Sequence, residues 1–218
     1  SVALRVADLP RAQEFYEQVL GLKASEGETG VVRLGVGGRQ PLVELHGDSS
    51  AAPLDRSSPG LFHLALLMPD RHSLAMALGR VATARWSLDG ASDHLVSEAL
   101  YLSDPEGNGI EIYRDRPHQE WQYRDGHLAM ATLPLDLDDL VSELAELDEL
   151  PAPAPSQTRM GHVHLQVADL SAAERFYAGV LGFDVTVRGY PGALFVSAGG
   201  YHHHLGLNTW NTSGGRPR

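Results

Sequence analysis

Residues 4–22 read LRVADLPRAQEFYEQVLGL, and residues 165–183 read LQVADLSAAERFYAGVLGF. The two stretches are identical at 11 of 19 aligned positions, with an offset of 161 residues. Self-similarity at a fixed offset indicates a duplicated structural unit. The chain therefore contains at least two copies of one supersecondary motif, and each copy can be interpreted with the help of the other.

Each copy predicts a strand followed by a helix. Alternating apolar residues at its start are typical of a half-buried strand. Asp8 and Asp169 come next, and an aspartate side chain readily accepts hydrogen bonds from the first turn of a helix. Phe15 and Val19 fall on one face of that helix, and Gly21 ends it. Further strand-like segments follow in both copies, so each copy is predicted to be a β-α-β-β-β module.

The segment between the copies has the same outline without close identity. Residues 61–69 are strand-like, and residues 73–81 carry apolar side chains at helical spacing. Residues 94–102 are rich in strand formers, residues 104–109 (DPEGNG) predict a turn, and residues 110–113 a closing strand. The sequence therefore predicts three modules, at residues 1–48, 60–115 and 160–212.

A bridge at residues 116–159 separates the second and third modules. Its residues 136–150 (DLDDLVSELAELDEL) predict an acidic amphipathic helix, and residues 151–156 (PAPAPS) a stiff extended linker. We interpret the bridge as a packed connector without chemistry of its own.

Composition excludes several classes of function. Seventeen basic and 28 acidic residues give a net charge of −11, which repels phosphate backbones, so we expect no nucleic-acid partner. The longest apolar stretch is too short to span a bilayer, and no signal peptide is recognisable, so we expect a cytoplasmic protein. The chain has no cysteine, which excludes disulfides, thiolate nucleophiles and Cys-bound zinc. Any metal must be held by His, Asp or Glu.

The repeated VADL…FY..VLG motif, together with residues 104–113 (DPEGNGIEIY), resembles the vicinal-oxygen-chelate superfamily, which includes glyoxalases, bleomycin-resistance proteins and extradiol dioxygenases. Within it, bacterial catechol 2,3-dioxygenase-like proteins are most similar to residues 90–117 (GASDHLVSEALYLSDPEGNGIEIYRDRP), 161–170 (GHVHLQVADL) and 201–210 (YHHHLGLNTW). The resemblance implies an α+β fold in which β-α-β-β-β modules pair into cupped mixed sheets. Because three modules leave one without a partner, we expect a fourth module after residue 218.

The resemblance also implies metal ligands on the first and last strands of the modules. Non-haem Fe(II) oxygenases use two histidines and one carboxylate on one side of the metal. The middle module offers His63 and Glu111, and a carboxylate on the concave side of a sheet needs a partner or a metal. His162 in the third module is the expected third ligand. His164 shares its strand face, because side chains alternate along a strand.

No single module contains all three predicted ligands. We therefore hypothesise that the second and third modules close around one shared metal, or that the site forms across a dimer. The first module has Ser1 at the equivalent position, and serine is a poor ligand for iron. Glu44 occupies its last strand and, with His63 and Glu111, is the candidate for a glyoxalase-like site that lacks one histidine.

Three further residues are candidates for catalysis. In extradiol enzymes a tyrosine precedes the ligand glutamate, and Tyr101 lies ten residues before Glu111. The resemblance assigns acid–base chemistry to His203, for which the imidazole pKa is well suited. His94 is a candidate for binding a substrate hydroxyl.

The sequence therefore predicts an Fe(II)-dependent extradiol dioxygenase, or one that uses another divalent metal such as Mn. Its substrates would be a small aromatic diol and O₂, which would place it in aromatic catabolism. The alternatives are a glyoxalase-like metal-dependent isomerase or lyase, and a metal-free small-molecule binding protein of the resistance type. An unpaired module would leave apolar sheet surface open, so self-association into a homo-oligomer is also expected.

Overall fold

The computed structural model describes residues 1–25, 27–38, 40–124, 127–144 and 152–215. The strand–helix–strand–strand–strand order occurs three times along the chain. The predicted α+β class, with repeated β-α-β-β-β units and mixed sheets, is confirmed. Within these ranges, no helix has the length and apolar character needed to cross a bilayer.

The first module forms a separate four-stranded sheet of order β1-β4-β3-β2. Its elements are β1 (Val2–Val6), α1 (Leu9–Gln18), β2 (Lys23–Ser25), β3 (Val31–Gly35) and β4 (Val43–Gly47). The first strand pairs in parallel with the last, and the strands between them pair antiparallel.

The second module repeats this pattern with longer strands. It comprises β5 (Gly60–Met68), α2 (Arg71–Thr83), β6 (Gly90–Asp93), β7 (Ser97–Ser103) and β8 (Gly109–Asp115). The prediction of one strand over residues 94–102 is wrong in its first part, because the chain turns between β6 and β7. Asp93 accepts a hydrogen bond from the Leu95 amide, and Leu95 has a φ of +69°, so this segment forms a tight turn that carries His94.

The bridge contains more structure than the sequence predicted. It has a 3₁₀ helix (His118–Glu120) and the short strands and helix β9 (Tyr123–Arg124), β10 (His127–Leu128), β11 (Leu133–Pro134) and α3 (Leu137–Val141). The acidic helix predicted for residues 136–150 is α3, which ends at Val141; residues 145–150 lie outside the described ones. Ser142 donates its hydroxyl to the Asp139 carbonyl, a local bond that favours the end of a helix.

The third module joins the second in one sheet. Its elements are β12 (Arg159–Gln166), α4 (Leu170–Glu174) continued by a π-helix (Arg175–Val180), β13 (Asp184–Val187), β14 (Ala193–Ser197) and β15 (Leu205–Asn208). The first strands β5 and β12 pair antiparallel and create a nine-stranded sheet of order β11-β6-β7-β8-β5-β12-β15-β14-β13. The two modules therefore share a continuous surface, and β5 and β12 lie near its middle.

The repeated aspartates begin the helices as predicted. Asp8 accepts a hydrogen bond from the Arg11 amide, and Asp169 accepts one from the Ala172 amide. Asp70 does the same for α2, at the Ser73 amide. A shared capping interaction thus fixes where each module turns from strand to helix.

The apolar helix face has different surroundings in the two copies of the repeat. Phe15 is 3% exposed, and Val19 and Leu20 lie with it in a core that includes residues of α2. The equivalent Phe176 is 49% exposed and Val180 is 73% exposed. The same repeat positions are therefore buried in the first module and open to solvent in the third.

Candidate metal centre

The register of neighbouring strands places several candidate residues in one row. Tyr101 on β7 is paired with Glu111 on β8. Glu111 is in turn paired with Ala65 on β5, and Ala65 with His162 on β12. The small side chain of Ala65 leaves room for Glu111 and His162 to meet above it.

His63 lies in the adjoining row, between Gly109 on β8 and His164 on β12. A Cβ atom on Gly109 would lie 3.1 Å from the His63 Cβ and 2.2 Å from the Phe62 carbonyl oxygen. The absence of a side chain at Gly109 therefore allows β5 and β8 to approach closely beside His63.

A bulge next to Gly161 sets the position of His162. Met160 is paired with Leu66, and His162 is paired with the neighbouring Ala65. Gly161 has no partner on β5 and is therefore the extra residue on β12. Such bulges bend a strand and re-aim its side chains. Gly161 also lies under the Tyr113 hydroxyl, where an added Cβ would be only 2.0 Å from the oxygen atom.

We expect Gly161→Ala to lower the free energy of unfolding by about 1–3 kcal/mol, because overpacking displaces the buried Tyr113 or the bulge. Gly60→Ala is the matched control on β5, since no atom lies within 4 Å of its added Cβ. Urea titration of both variants measures the difference. Equal stability of the two variants would contradict the close packing around the bulge.

The structure brings His63, Glu111 and His162 together. The His63 Nε2 lies 3.0 Å from Glu111 Oε2, and the His162 Nε2 lies 3.1 Å from the same oxygen. The two Nε2 atoms are 3.4 Å apart. All three side chains are buried, and they form a group of potential ligand atoms within 4.8 Å of one another.

These distances suit one first-row metal ion. Ligand atoms about 2.0–2.2 Å from a metal and at right angles to each other are separated by about 3 Å. Two imidazoles and one carboxylate on one side of an ion are also the usual donor set for non-haem Fe(II). The residues therefore fit a metal of this class, and their role as ligands stays a prediction.

The protonation of the triad also favours metal binding. Burial opposes the charge on Glu111, but His162 and His63 hold the pKa of this carboxyl well below its usual range. Burial lowers the pKa of His162, although Glu111 acts in the opposite direction. The group therefore combines an ionised carboxylate with a neutral imidazole at neutral pH, which are the forms that coordinate metals.

His203 lies against the triad. Its ring centroid is 4.1 Å from that of His162. His203 also borders a cavity that His63 and Glu111 line. Burial, with the neighbouring His162 and His202, lowers the pKa of His203 well below its usual range. His203 Nδ1 contacts His202 Nδ1 at 2.7 Å, which leaves Nε2 as the nitrogen available to the cavity.

Tyr101 and His94 form a hydrogen-bonded pair, and both side chains border the same cavity as His203. His94 Nδ1 donates to the Ala131 carbonyl oxygen at 2.7 Å, because a carbonyl can only accept. In the neutral imidazole Nε2 is then an acceptor, and it receives the Tyr101 hydroxyl at 2.7 Å. Burial and the neighbouring Glu111 raise the pKa of Tyr101 well above its usual range, so the phenol keeps its proton.

His63 and Glu111 of the triad, together with His203 and Tyr101, border a cavity of about 200 Å³. Sequence reasoning missed most of its wall, which is formed by Phe62, Ser92, Met130, Thr132, Tyr190, Phe195 and Trp210. These residues come from both modules and the bridge, so the bridge contributes to the cavity. In the sequence, these wall residues are marked only by the apolar and aromatic character of their segments. The same character is typical of residues in a hydrophobic core, so it does not identify a cavity wall.

His164 also borders the cavity. Its ring packs over Gly206 of β15, where an added Cβ would lie 2.8 Å from the ring. Its Nε2 is buried without a hydrogen-bond partner in the part of the chain that the structure describes. His164 is thus held beside His63 rather than inside the triad.

Glu44 lies away from the triad, in the separate sheet of the first module. Ser1 donates its hydroxyl to Glu44 at 2.8 Å, and Arg33 donates to the other carboxylate oxygen at 3.4 Å. The alternative site that combined Glu44 with His63 and Glu111 is therefore wrong, because its carboxylate is paired elsewhere.

Comparisons with known proteins agree with this geometry. Residues 1–112 and 159–217 match the family described as "Glyoxalase/Bleomycin resistance protein/Dioxygenase superfamily". The chain is 46% identical over 211 residues to a protein of Bacillus subtilis (strain 168) named catechol-2,3-dioxygenase. That alignment covers 95% of this chain and 73% of the Bacillus protein.

Solved structures show the same fold at low sequence identity. A provisionally named dioxygenase from Bacillus subtilis has a TM-score of 0.64 and 14% identity, over 98% of this chain and 63% of that chain. Glyoxalase I from Zea mays has a TM-score of 0.55 and 17% identity, over 96% of this chain and 67% of that chain. With the family match and the Bacillus relative, they lead to one conclusion: the chain belongs to the glyoxalase/bleomycin resistance protein/dioxygenase superfamily.

Proposed function

We propose that this chain is an Fe(II)-dependent extradiol dioxygenase that cleaves a catechol-type ring. The observation that carries the proposal is the convergence of His63, Glu111 and His162 on one another, beside a cavity that His63, Glu111, His203 and Tyr101 border. The similarity to a protein named catechol-2,3-dioxygenase supports the same reaction class. In this reaction O₂ is the oxidant, a ring C–C bond beside the diol breaks, and both oxygen atoms enter the product.

The metal would be held by the Nε2 atoms of His63 and His162 and by the Glu111 carboxylate. When bound, Fe(II) would supply Lewis-acid positions for two adjacent hydroxyl oxygens and for O₂. These ligands come from two modules, so the site depends on the pairing of β5 with β12.

The other polar residues would handle protons and orient the diol. His203 Nε2 faces the cavity as an acceptor and takes a proton from a substrate hydroxyl. The Tyr101 hydroxyl, held by His94, also borders the cavity and positions a substrate oxygen. Aromatic walls at Phe62, Phe195 and Trp210 exclude water and contact the apolar ring.

The charge of the cavity favours an uncharged substrate. None of the described residues that border it is a lysine or an arginine, and Glu111 adds a negative charge. A carboxylate substituent on the ring would lose its hydration without gaining a cationic partner. We therefore assign catechols with uncharged, apolar substituents as the substrate class.

We expect kcat/KM for a carboxylated catechol to be about 10–100-fold lower than for an alkyl catechol of similar size, because burying an unpaired charge is unfavourable. Steady-state assays with 3-methylcatechol and 2,3-dihydroxybenzoate measure this ratio. Equal kcat/KM values would contradict the assigned substrate class while leaving the reaction type intact.

The test of the function is anaerobic loading with Fe(II), followed by addition of catechol and O₂. We expect about one iron per chain, oxygen uptake and a yellow ring-fission product in which both atoms of ¹⁸O₂ appear. Activity with another metal and no oxygen uptake would instead support a glyoxalase-like isomerase or lyase. Ligand binding without any metal would support a binding protein of the resistance type.

A further inference from the structure

A chain of hydrogen bonds runs from His203 to a carboxylate at the end of β8. His203 Nδ1 and His202 Nδ1 are 2.7 Å apart, and His202 Nε2 is 2.8 Å from Asp115 Oδ1. His202 is 0% exposed, so bulk water does not compete for these bonds. Its ring is also held in place by Tyr201 and Trp121, whose centroids lie 4.0 and 5.4 Å away.

The Asp115 carboxylate is anchored as well. The Tyr201 hydroxyl lies 3.1 and 3.0 Å from its two oxygens and donates to them. The Tyr113 hydroxyl lies 2.7 Å from that of Tyr201 and donates to it, since the Tyr201 hydrogen is already used. Asp115 is therefore fixed on one side by tyrosines and faces His202 on the other.

The direction of these bonds fixes the hydrogen positions on both imidazoles. An ionised carboxylate can only accept, so His202 Nε2 carries a hydrogen. In neutral His202 the Nδ1 atom is then an acceptor, and the hydrogen of this pair must lie on His203 Nδ1. His203 Nε2 is left with a free lone pair, and this is the nitrogen available to the cavity.

We propose that Asp115 and His202 are positioning residues that hold His203 in the tautomer with an unprotonated Nε2. They do not border the cavity and act through His203 alone. The proposal rests on the acid–base role proposed for His203. The tautomer of His203 can be measured directly, without any assay of activity.

The substitution Asp115→Asn should reverse the direction of the hydrogen bonds that run from residue 115 through His202 to His203. The side chain at position 115 keeps almost the same volume. The amide oxygen would accept from Tyr201, so the amide nitrogen would donate to His202 Nε2. His202 would then carry its hydrogen on Nδ1 and donate to His203, which moves the His203 hydrogen to Nε2. A cavity-facing Nε2–H cannot accept a substrate proton.

The experiment compares the wild type, Asp115→Asn and the control Asp184→Asn, an exposed aspartate on β13. Long-range ¹H–¹⁵N spectra of the metal-free proteins, labelled with ¹⁵N-histidine, report which nitrogen of His203 is protonated. We expect Nδ1–H in the wild type and in Asp184→Asn, and Nε2–H in Asp115→Asn. With Fe(II) bound, kcat of Asp115→Asn should fall about 10–100-fold, with KM and iron content unchanged.

A wild-type His203 with its hydrogen on Nε2 would overturn the proposal. An unchanged His203 tautomer in Asp115→Asn would overturn it as well, whatever the effect on kcat. An inactive wild type whose tautomer switches in Asp115→Asn would support the positioning of His203 and overturn only the dioxygenase function.

Discussion

Loss of the metal, and with it all ring cleavage, is the expected result of Glu111→Ala. The carboxylate is the only negatively charged member of the triad, and Nε2 atoms of both histidines lie within 3.0 and 3.1 Å of its Oε2 atom. Without it, only two imidazoles remain, and we expect Fe(II) affinity to fall by more than about 100-fold, since even outer-shell changes cost 10–100-fold. Iron content after gel filtration and competition with a chelator measure the change.

Glu111→Gln tests the same point with less disturbance of packing, because it keeps the shape of the side chain and removes only the charge. Glu44→Gln is the matched control, since Glu44 occupies the corresponding strand of the first module and pairs with Ser1. Wild-type iron content in Glu111→Gln would show that the metal, if bound, lies elsewhere. Iron loss in Glu44→Gln would contradict its separation from the site.

His203→Ala should leave the metal in place and slow turnover by about 10²–10⁴-fold, the usual contribution of a general acid or base. The His203 ring borders the cavity, but its nitrogens do not belong to the group of atoms that could hold the ion. Iron content should therefore match that of the wild type while kcat falls. Single-turnover rates with catechol measure the chemical effect directly.

His204→Ala is the control for His203→Ala. His204 is the next residue in the chain, it is exposed, and its Nδ1 pairs with the Ser197 hydroxyl away from the cavity. We expect unchanged kcat for this variant. If His203→Ala retained wild-type kcat, or if it lost iron, the assignment of acid–base chemistry to His203 would be contradicted.

The modular outline and the family resemblance account for what the sequence could predict. The resemblance implied ligands on first strands (His63 and His162) and on a last strand (Glu111), and strand alternation then determines which face each side chain occupies. The capping aspartates Asp8 and Asp169 mark the starts of the helices through local chemistry alone. These features depend on short-range pattern, so the fold class followed from them.

Features that depend on long-range register could not be predicted in this way. The bulge at Gly161 shifts His162 by one residue relative to β5, and only the pairing of β5 with β12 reveals it. The role of Asp115 depends on contact with His202, 87 residues away in the chain. The turn at His94 and the aromatic wall at Trp210 likewise arise from tertiary packing that overrides local propensity.

The shared metal held by the second and third modules can be located by anomalous diffraction at the iron edge, from crystals of the chain loaded anaerobically with Fe(II). We expect a single strong peak about 2.0–2.2 Å from His63 Nε2, His162 Nε2 and a Glu111 carboxylate oxygen. A peak bound by residues of one module only, or the absence of a peak at this triad, would contradict the shared site.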